Sequence, residues 1–283
     1  MKGTKLSLAL AGSLLATNAF SITIDTATAD ADALVGSILG AGITVDSSST
    51  SLTAGTNAVG FFSDGMSSIG LESGIILSTG NANDAVGPNV SDDTSTNLGV
   101  SGDSDLNALI PQSTNDASVL EFDFTSTGGD LFFNYVFASE EYNEFVKSSY
   151  NDVFAFFLDG VNIALAPDGN PVSINNVNCD NPLSTSGPNC DYFNNNDVSD
   201  GGPFYDIAYD GFTDVFTASF FGLSAGSHTM KIAIADAGDS SFDSAVFIEG
   251  GTFSDTPTSV PEPASLALLG LGLAGFAFRR RRA

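Results

Sequence analysis

Residues 117–137 read ASVLEFDFTSTGGDLFFNYVF, and the two ends of this stretch decide the fold. Leu120, Phe122 and Phe124 alternate with Glu121 and Asp123, the period-two pattern of a strand with one face in water. Leu131 to Phe137 is almost unbroken apolar sequence, as in a central strand buried on both faces, and Val153 to Leu158 is a second such run. Alternation returns at Phe216, Ala218 and Phe220 and at Met230, Ile232 and Ile234, and Gly74 to Thr79 is a short buried run. Turns rich in Gly, Asn, Asp and Ser separate these segments. Asp30 to Gly40 carries the one helical pattern of the body: Leu34, Val35, Ile38 and Leu39 share a face, Asp30 or Asp32 caps the start, and Gly40 or Gly42 ends it. Many short strands with little helix predict an all-β fold, an antiparallel β-sandwich with one short N-terminal helix, with a jelly roll as the closest competitor. The polar segment from Asn81 to Asn107 reads as a surface loop, and no internal repeat is visible.

The chain has 283 residues, with 34 Asp and Glu against 8 Lys and Arg, and a formal net charge of -26. Lys2, Lys5 and Arg279 to Arg282 sit at the two ends, which leaves the body only Lys147 and Lys231. Such a surface repels nucleic acid and anionic lipid, which need basic side chains to displace counterions, and it favours cations. The apolar content of 42% and the 23 phenylalanines are enough for a core, so the acidity does not mean disorder.

Both ends read as export signals. Lys2 and Lys5 precede an apolar run from Leu6 to Ala16 and then small residues, the pattern of a secretory signal peptide within 1–29, with cleavage after Ala19 or Ala29. At the other end Val260, Pro261, Glu262 and Pro263 are followed by the apolar run Ala264 to Phe278 and then by Arg279, Arg280, Arg281, Arg282 and Ala283. As a helix that run spans about 22 Å, short of a hydrocarbon core of roughly 30 Å, and the arginines stay on the cytoplasmic side. The arrangement at 260–283 closely resembles the PEP-CTERM sorting signal of Gram-negative bacteria. The resemblance implies a C-terminal hydrophobic sorting helix and processing by exosortase, a membrane protease-transpeptidase. Signal peptidase acts at the other end. It also implies transient attachment to the inner membrane with the body in the periplasm, then a place at the cell surface or outside the cell. An ordinary single-pass tail anchor is the plainer alternative. The body is expected over 30–253, with 254–259 as a linker.

Cys179 and Cys190 lie in one Asn/Pro/Gly-rich stretch, and in an exported protein the default is one disulfide closing that loop. Two free thiols or metal ligands are the alternative, though without a partner histidine they make a poor zinc site.

Acids gather where strands end. Glu140, Glu141 and Glu144 follow the run ending at Phe137, Asp152 precedes Val153, and Asp236, Asp239 and Asp243 lie between two strands. If Leu131–Phe137 and Val153–Leu158 are antiparallel neighbours, the first two groups meet. Clustered carboxylates repel unless a cation joins them, and calcium takes six to eight oxygens in flexible geometry. Glu140, Glu141, Asp152, Asp236, Asp239 and Asp243 are therefore the candidate ligands of a structural Ca²⁺, with solvated loop acids as the alternative. No organic cofactor is expected. Asp103-Ser104-Asp105 begins like an EF-hand loop but has Ala108 and Thr114 where that motif needs Gly and Glu.

The segments Gly74–Gly80 (GIILSTG), Ala117–Phe124 (ASVLEFDF), Tyr135–Tyr142 (YVFASEEY), Glu144-Phe145-Val146, Asn151–Leu158 (NDVFAFFL), Val172–Asn178 (VSINNVN) and Asp239–Ile248 (DSSFDSAVFI) resemble, in order, the choice-of-anchor L extracellular domain. The resemblance implies a surface-displayed domain paired with a sorting tail, and it brings no activity or ligand with it.

No nucleophile elbow, phosphate loop or zincin helix is present, and the sole histidine, His228, reads as turn polarity entering a strand. Acids are too numerous for a carboxylate pair to mark a glycosidase. The expected protein is not an enzyme. It is structural or adhesive, linked to exopolysaccharide or biofilm, and meets polysaccharide or other surface proteins. A carbohydrate-binding module, with Tyr142, Tyr192, Tyr205 and Tyr209 as stacking candidates, is the second reading, and a polysaccharide hydrolase is the third.

Overall fold

A computed structural model describes residues 21–258. The secretory run, the Val260–Pro263 motif, the apolar run and the four arginines lie outside them. Among the described residues no helix is long and apolar enough to cross a membrane.

Among the described residues fourteen strands, numbered along the chain, form two antiparallel sheets packed face to face. The first runs β1 (Thr23–Asp25), β4 (Val59–Ser63), β5 (Gly74–Ser78), β14 (Ser244–Glu249), β7 (Gly129–Ser139), β11 (Gly211–Thr213) and β10 (Phe193–Asn195), with β12 (Phe216–Leu223) also beside β7. The second runs β2 (Ile43–Val45), β6 (Thr114–Ser126), β13 (Gly226–Ala237), β8 (Val153–Leu158) and β9 (Val161–Asn162), with β3 (Ser51–Thr53) also beside β6. The helix α1 (Ala31–Ile38) turns Leu34, Val35 and Ile38 inward, and Asp30 caps it by accepting from the Ala33 N–H at 2.8 Å. The cap satisfies one of the donors that every helix start leaves open.

The core lies between the sheets. Leu131, Phe133, Tyr135 and Phe137 of β7 meet Phe154, Phe156 and Leu158 of β8, together with Leu120, Phe122 and Phe124 of β6. The Phe133 and Phe156 rings are 4.1 Å apart edge to face, and Tyr135 and Phe154 are 5.2 Å apart. Each such ring removed from water contributes about 1.5–3 kcal/mol.

The pairing expected between Leu131–Phe137 and Val153–Leu158 does not form. The β7 and β8 strands are not neighbours. They face each other across the sandwich, because β14 and β12 flank β7 while β13 lies beside β8. Both are still buried on two faces, as their unbroken apolar sequence requires. The outer face of β7 places Val136 and Ala138 in a second apolar layer with Ile76, Phe247, Tyr209 and Phe212. The outer face of β8 places Val153, Ala155 and Phe157 under Leu106, with Leu109 and Ile110 alongside.

The segment from Asn81 to Asn107 is therefore more than a surface loop. Ala82, Ala85 and Leu106 are buried in these outer layers, and Asn89 is buried with them. The folded part also begins before residue 30. Ile22 is fully buried, and Thr23 to Asp25 pair with Ser63 to Phe61. His228 lies inside β13 rather than in a turn, 8% exposed, with Nδ1 2.7 Å from Asp159 Oδ2. Cys179 and Cys190 are joined in a disulfide. Asp103 and Asp105, the start of the failed EF-hand pattern, instead hold Lys231 at 2.7 and 2.6 Å.

Candidate functional site: a buried acidic strand end

Register brings the acids together. Ser139, the last residue of β7, pairs with Ser244 of β14 on one side and with Gly211 of β11 on the other. One step beyond the pairing, Glu140 stands between Asp243 and Asp210, and its N–H donates to the Asp243 carbonyl at 3.0 Å. Three carboxylates thus lie in a row across three adjacent strands, where like charges oppose each other directly. The second sheet repeats the arrangement: Ala235 pairs with Val153, so Asp236 of β13 stands beside Asp152 at the entrance to β8.

The sequence reading thus placed its acids at one end of the sandwich by a route the structure changes. The β7 and β8 strands belong to different sheets, yet Glu141 still feels the charge of Asp152, because the exit from β7 and the entrance to β8 share an end. Ser244 Oγ joins the two sheets there, donating to Asp152 Oδ2 at 2.6 Å and lying 2.8 Å from Ser139 Oγ. The Ala237 N–H donates to Asp152 Oδ1 at 2.8 Å.

Burial is the unusual property of the cluster. Glu140, Glu141, Asp152, Asp210, Asp236 and Asp243 are all at most 2% exposed, whereas Asp239 is half-buried. Both carboxylate oxygens of Glu140 and both of Asp236 lack a hydrogen-bond partner, as do Glu141 Oε2, Asp210 Oδ2 and Asp243 Oδ1. A buried charge without a partner is costly, and the ordinary response is protonation. Burial, with the neighbouring charges of Asp152, Asp239 and Glu144, pushes Glu141 up to about 10. Burial raises Asp152 and Asp243 to about 7 each, against the hydrogen bonds from Ser244 to Asp152 and from Thr96 to Asp243. It also raises Asp210 to about 8, with the Asn89 amide opposing and the Asp197 charge adding. Glu140 is held well above the carboxylate range by burial and then by Asp210, and Asp236 by burial and then by Asp152. Asp239 is raised by burial alone, against its Ser241 hydrogen bond.

Among the described residues no basic side chain answers these acids: Lys147 pairs with Asp180, Lys231 with Asp103 and Asp105, and His228 with Asp159. The loop from Asn81 to Asn107 closes over the cluster instead. The Thr96 N–H donates to Asp243 Oδ2 at 2.9 Å, and the Leu98 and Val100 N–H groups bind Asp116 at 3.0 and 2.8 Å. Gly80 leaves the room that Asp243 occupies, since a Cβ there would sit 1.6 Å from Asp243 Oδ2. No three of the six expected ligands bring carboxylate oxygens within 4.8 Å of one another, and Asp152 is held by Ala237 and Ser244 and Asp243 by Thr96.

Sequence reasoning missed Asp210 and Asp116. Asp210 precedes a strand of three residues, too short to show a period, and Asp116 lies inside β6 at a left-handed φ of 46°. The expected stacking tyrosines are mostly spent on packing. Tyr142 and Tyr209 are buried, and Tyr205 packs on Phe212 at 4.8 Å. Tyr192 alone among the four is exposed, at 40%.

In the comparisons, residues 259–282 match the PEP-CTERM protein-sorting motif, which carries exported proteins to exosortase. Neither of the families found is an enzyme family. No curated protein and no solved structure matches the chain. Residues 23–254, the whole two-sheet body, match the Choice-of-anchor L domain, and the chain belongs to that family as a secreted or cell-surface protein bearing an exosortase sorting signal.

Proposed function

We propose that the protein is a non-enzymatic structural or adhesive component of the extracellular matrix of a Gram-negative bacterium, and that calcium bound among its buried acids locks the sandwich end. The observation that carries the calcium reading is the set of five unpartnered oxygens on Glu140, Asp236 and Asp243. Glu140 and Asp236 each feel the charge of Asp243. As placed, no three of the six expected ligands bring carboxylate oxygens within 4.8 Å, so a divalent cation would have to draw Glu140, Asp236 and Asp243 together, with Glu141, Asp152 and Asp239 around them, and it would satisfy buried oxygens left without a hydrogen-bond partner. Calcium suits the set because all its donors are oxygens and its geometry is permissive.

The sorting motif supports the surface destination. Exopolysaccharide or another surface protein is the proposed partner, met by an acidic face through many weak, calcium-bridged contacts. The inner membrane holds the chain only in transit, through the tail. A sugar-specific module is the second reading, favoured by Tyr192 at 40% and Phe204 at 62% exposure.

Thermal unfolding of the exported protein in excess calcium and in chelator tests the calcium reading. At a hundredfold excess over Kd the bound ion adds about 2.7 kcal/mol, a shift of several degrees for a domain of this size. Asp236→Asn should remove most of that shift, and equal melting in calcium and chelator would sink the reading. Binding to a glycan array separates the partners: weak, calcium-dependent retention by many acidic polymers supports the matrix role, while selective saturable binding of one sugar supports the second reading.

A further inference from the structure

A separate group of acids lies outside the interior cluster, where three loops meet. Asp92 comes from the segment after β5, Glu144 from the β7–β8 connection, and Asp197 from the connection between β10 and β11. One carboxylate oxygen from each lies within 4.8 Å of the other two. Oxygens that close can share one cation, since two oxygens on opposite sides of a calcium ion, each at roughly 2.4 Å, are about 4.8 Å apart.

Acidic groups on loops often meet without a ligand, but two buried side chains set this group apart. Asp197 and Asp210 are both 0% exposed. Asp197 uses Oδ1 to accept from the Ser199 N–H at 2.6 Å, and its Oδ2 has no partner. Asp210 uses Oδ1 to accept from Asn89 Nδ2 at 2.6 Å, and its Oδ2 likewise has no partner. Asp210 feels the charges of Asp197, Glu144 and Asp92, and Glu140 of the interior cluster feels that of Asp210, so Asp210 is shared by the two groups.

The loops are held in place for this. Asn196 stands opposite Asp210 at the end of the β10–β11 pair, and its N–H donates to the Asp210 carbonyl at 2.7 Å. The Asn196 side chain binds the Ile207 and Tyr209 carbonyls with Nδ2 and the Phe204 and Tyr205 N–H groups with Oδ1. Asn89 ties the Asp92 loop to the same place through the Asn196 carbonyl at 3.2 Å. Ser199 Oγ reaches Glu144 Oε1 at 3.3 Å. Carboxylates are thus fixed by amides that supply no positive charge, and both body lysines are paired elsewhere.

We propose that Asp92, Glu144 and Asp197, with Asp210 beside them, form a second calcium site, which adjoins the interior acids at Asp210 and is open to solvent. Asp197 and Asp210 form its buried floor, and Asp92 and Glu144, both exposed, form its rim. An ion there fastens three loops together at the sandwich end, and its outward positions are filled by water.

Equilibrium dialysis of the chelator-stripped exported protein against radioactive calcium tests this. The combined variant Asp92→Asn, Glu144→Gln changes only exposed residues, and circular dichroism checks that it folds. We expect it to bind one equivalent fewer than the wild type, or to hold that equivalent about a hundredfold more weakly, because affinity at such sites follows the number of charged ligands. Asp236→Asn, in the interior cluster, should keep the loop equivalent. A wild type that binds a single equivalent, lost in the rim variant, upholds this site while removing the interior one. Unchanged stoichiometry and affinity in the rim variant, or no binding by the wild type, overturns it.

Discussion

Ser244 Oγ donates to Asp152 Oδ2 at 2.6 Å, and this bond ties the first residue of β14 in one sheet to the residue that enters β8 in the other. Both partners are buried, so neither finds water if the other is removed. Ser244→Ala leaves the Asp152 oxygen unpartnered, and the expected loss is about 1–3 kcal/mol by denaturant unfolding. A double-mutant cycle with Asp152→Ala should return a coupling well above the scatter for independent sites, roughly 0.5 kcal/mol. Additive losses would mean that the two sheets do not depend on this bond.

The first strand distinguishes the two expected cleavage points. Cleavage after Ala29 would remove Ile22, which is fully buried, and the strand Thr23–Asp25 that edges the first sheet. Cleavage after Ala19 leaves both. Intact mass of the exported protein should therefore give Phe20 as the first residue, and a start at Asp30 would show that β1 is dispensable.

Strand positions were legible in the sequence and strand partners were not. Leu120, Phe122 and Phe124 alternate because one face of β6 meets the core, and that period is local information. Phe133 and Phe156 are equally apolar in sequence, but nothing in a two-sided apolar run says which sheet it joins. The interior acids were legible for a related reason, since Glu140, Asp152, Asp236 and Asp243 each abut a recognisable strand. Asp92 and Asp197 sit among Asn, Ser and Asp in turns, where an acid is ordinary. Only the folded loops reveal that Asp197 is buried and points at Glu144.

The disulfide closes a short loop, Cys179 to Cys190, a separation of 11 residues. Chain-entropy arguments give about 3 kcal/mol for a loop of this size, through restriction of the unfolded chain. Replacing both cysteines by serine should lower stability by about that amount with little change in the sandwich, because the loop lies outside the buried layers. Unfolding curves in the presence and absence of reductant check this independently, and curves that coincide would show that the loop is ordered without its bond.

His228 and Asp159 give stability a dependence on pH that can be worked out in sign. Burial opposes a charged His228, but the hydrogen bonds it donates to Asp159 and to the Ser224 carbonyl, with the Asp159 charge, outweigh it and hold its pKa above the ordinary value. Burial opposes a charged Asp159 as well, and the His228 ring and the Thr229 N–H, at 2.9 Å, outweigh it and hold the carboxyl low. A raised histidine contributes stability that is complete below its unfolded pKa, about 6.5, and is lost as pH rises through the folded value. A lowered carboxylate contributes above its unfolded pKa, about 3.9, and loses that contribution as pH falls through the folded value. The pair is therefore worth most between about pH 4 and 6.5. Asp159 is half exposed, so solvent screening keeps the contribution small. The difference in stability between wild type and Asp159→Asn, measured from pH 4 to 9, should be widest near pH 5–6 and should narrow above neutrality. A difference that widens towards alkaline pH would mean that His228 is neutral in the fold and that Asp159 acts only through Thr229.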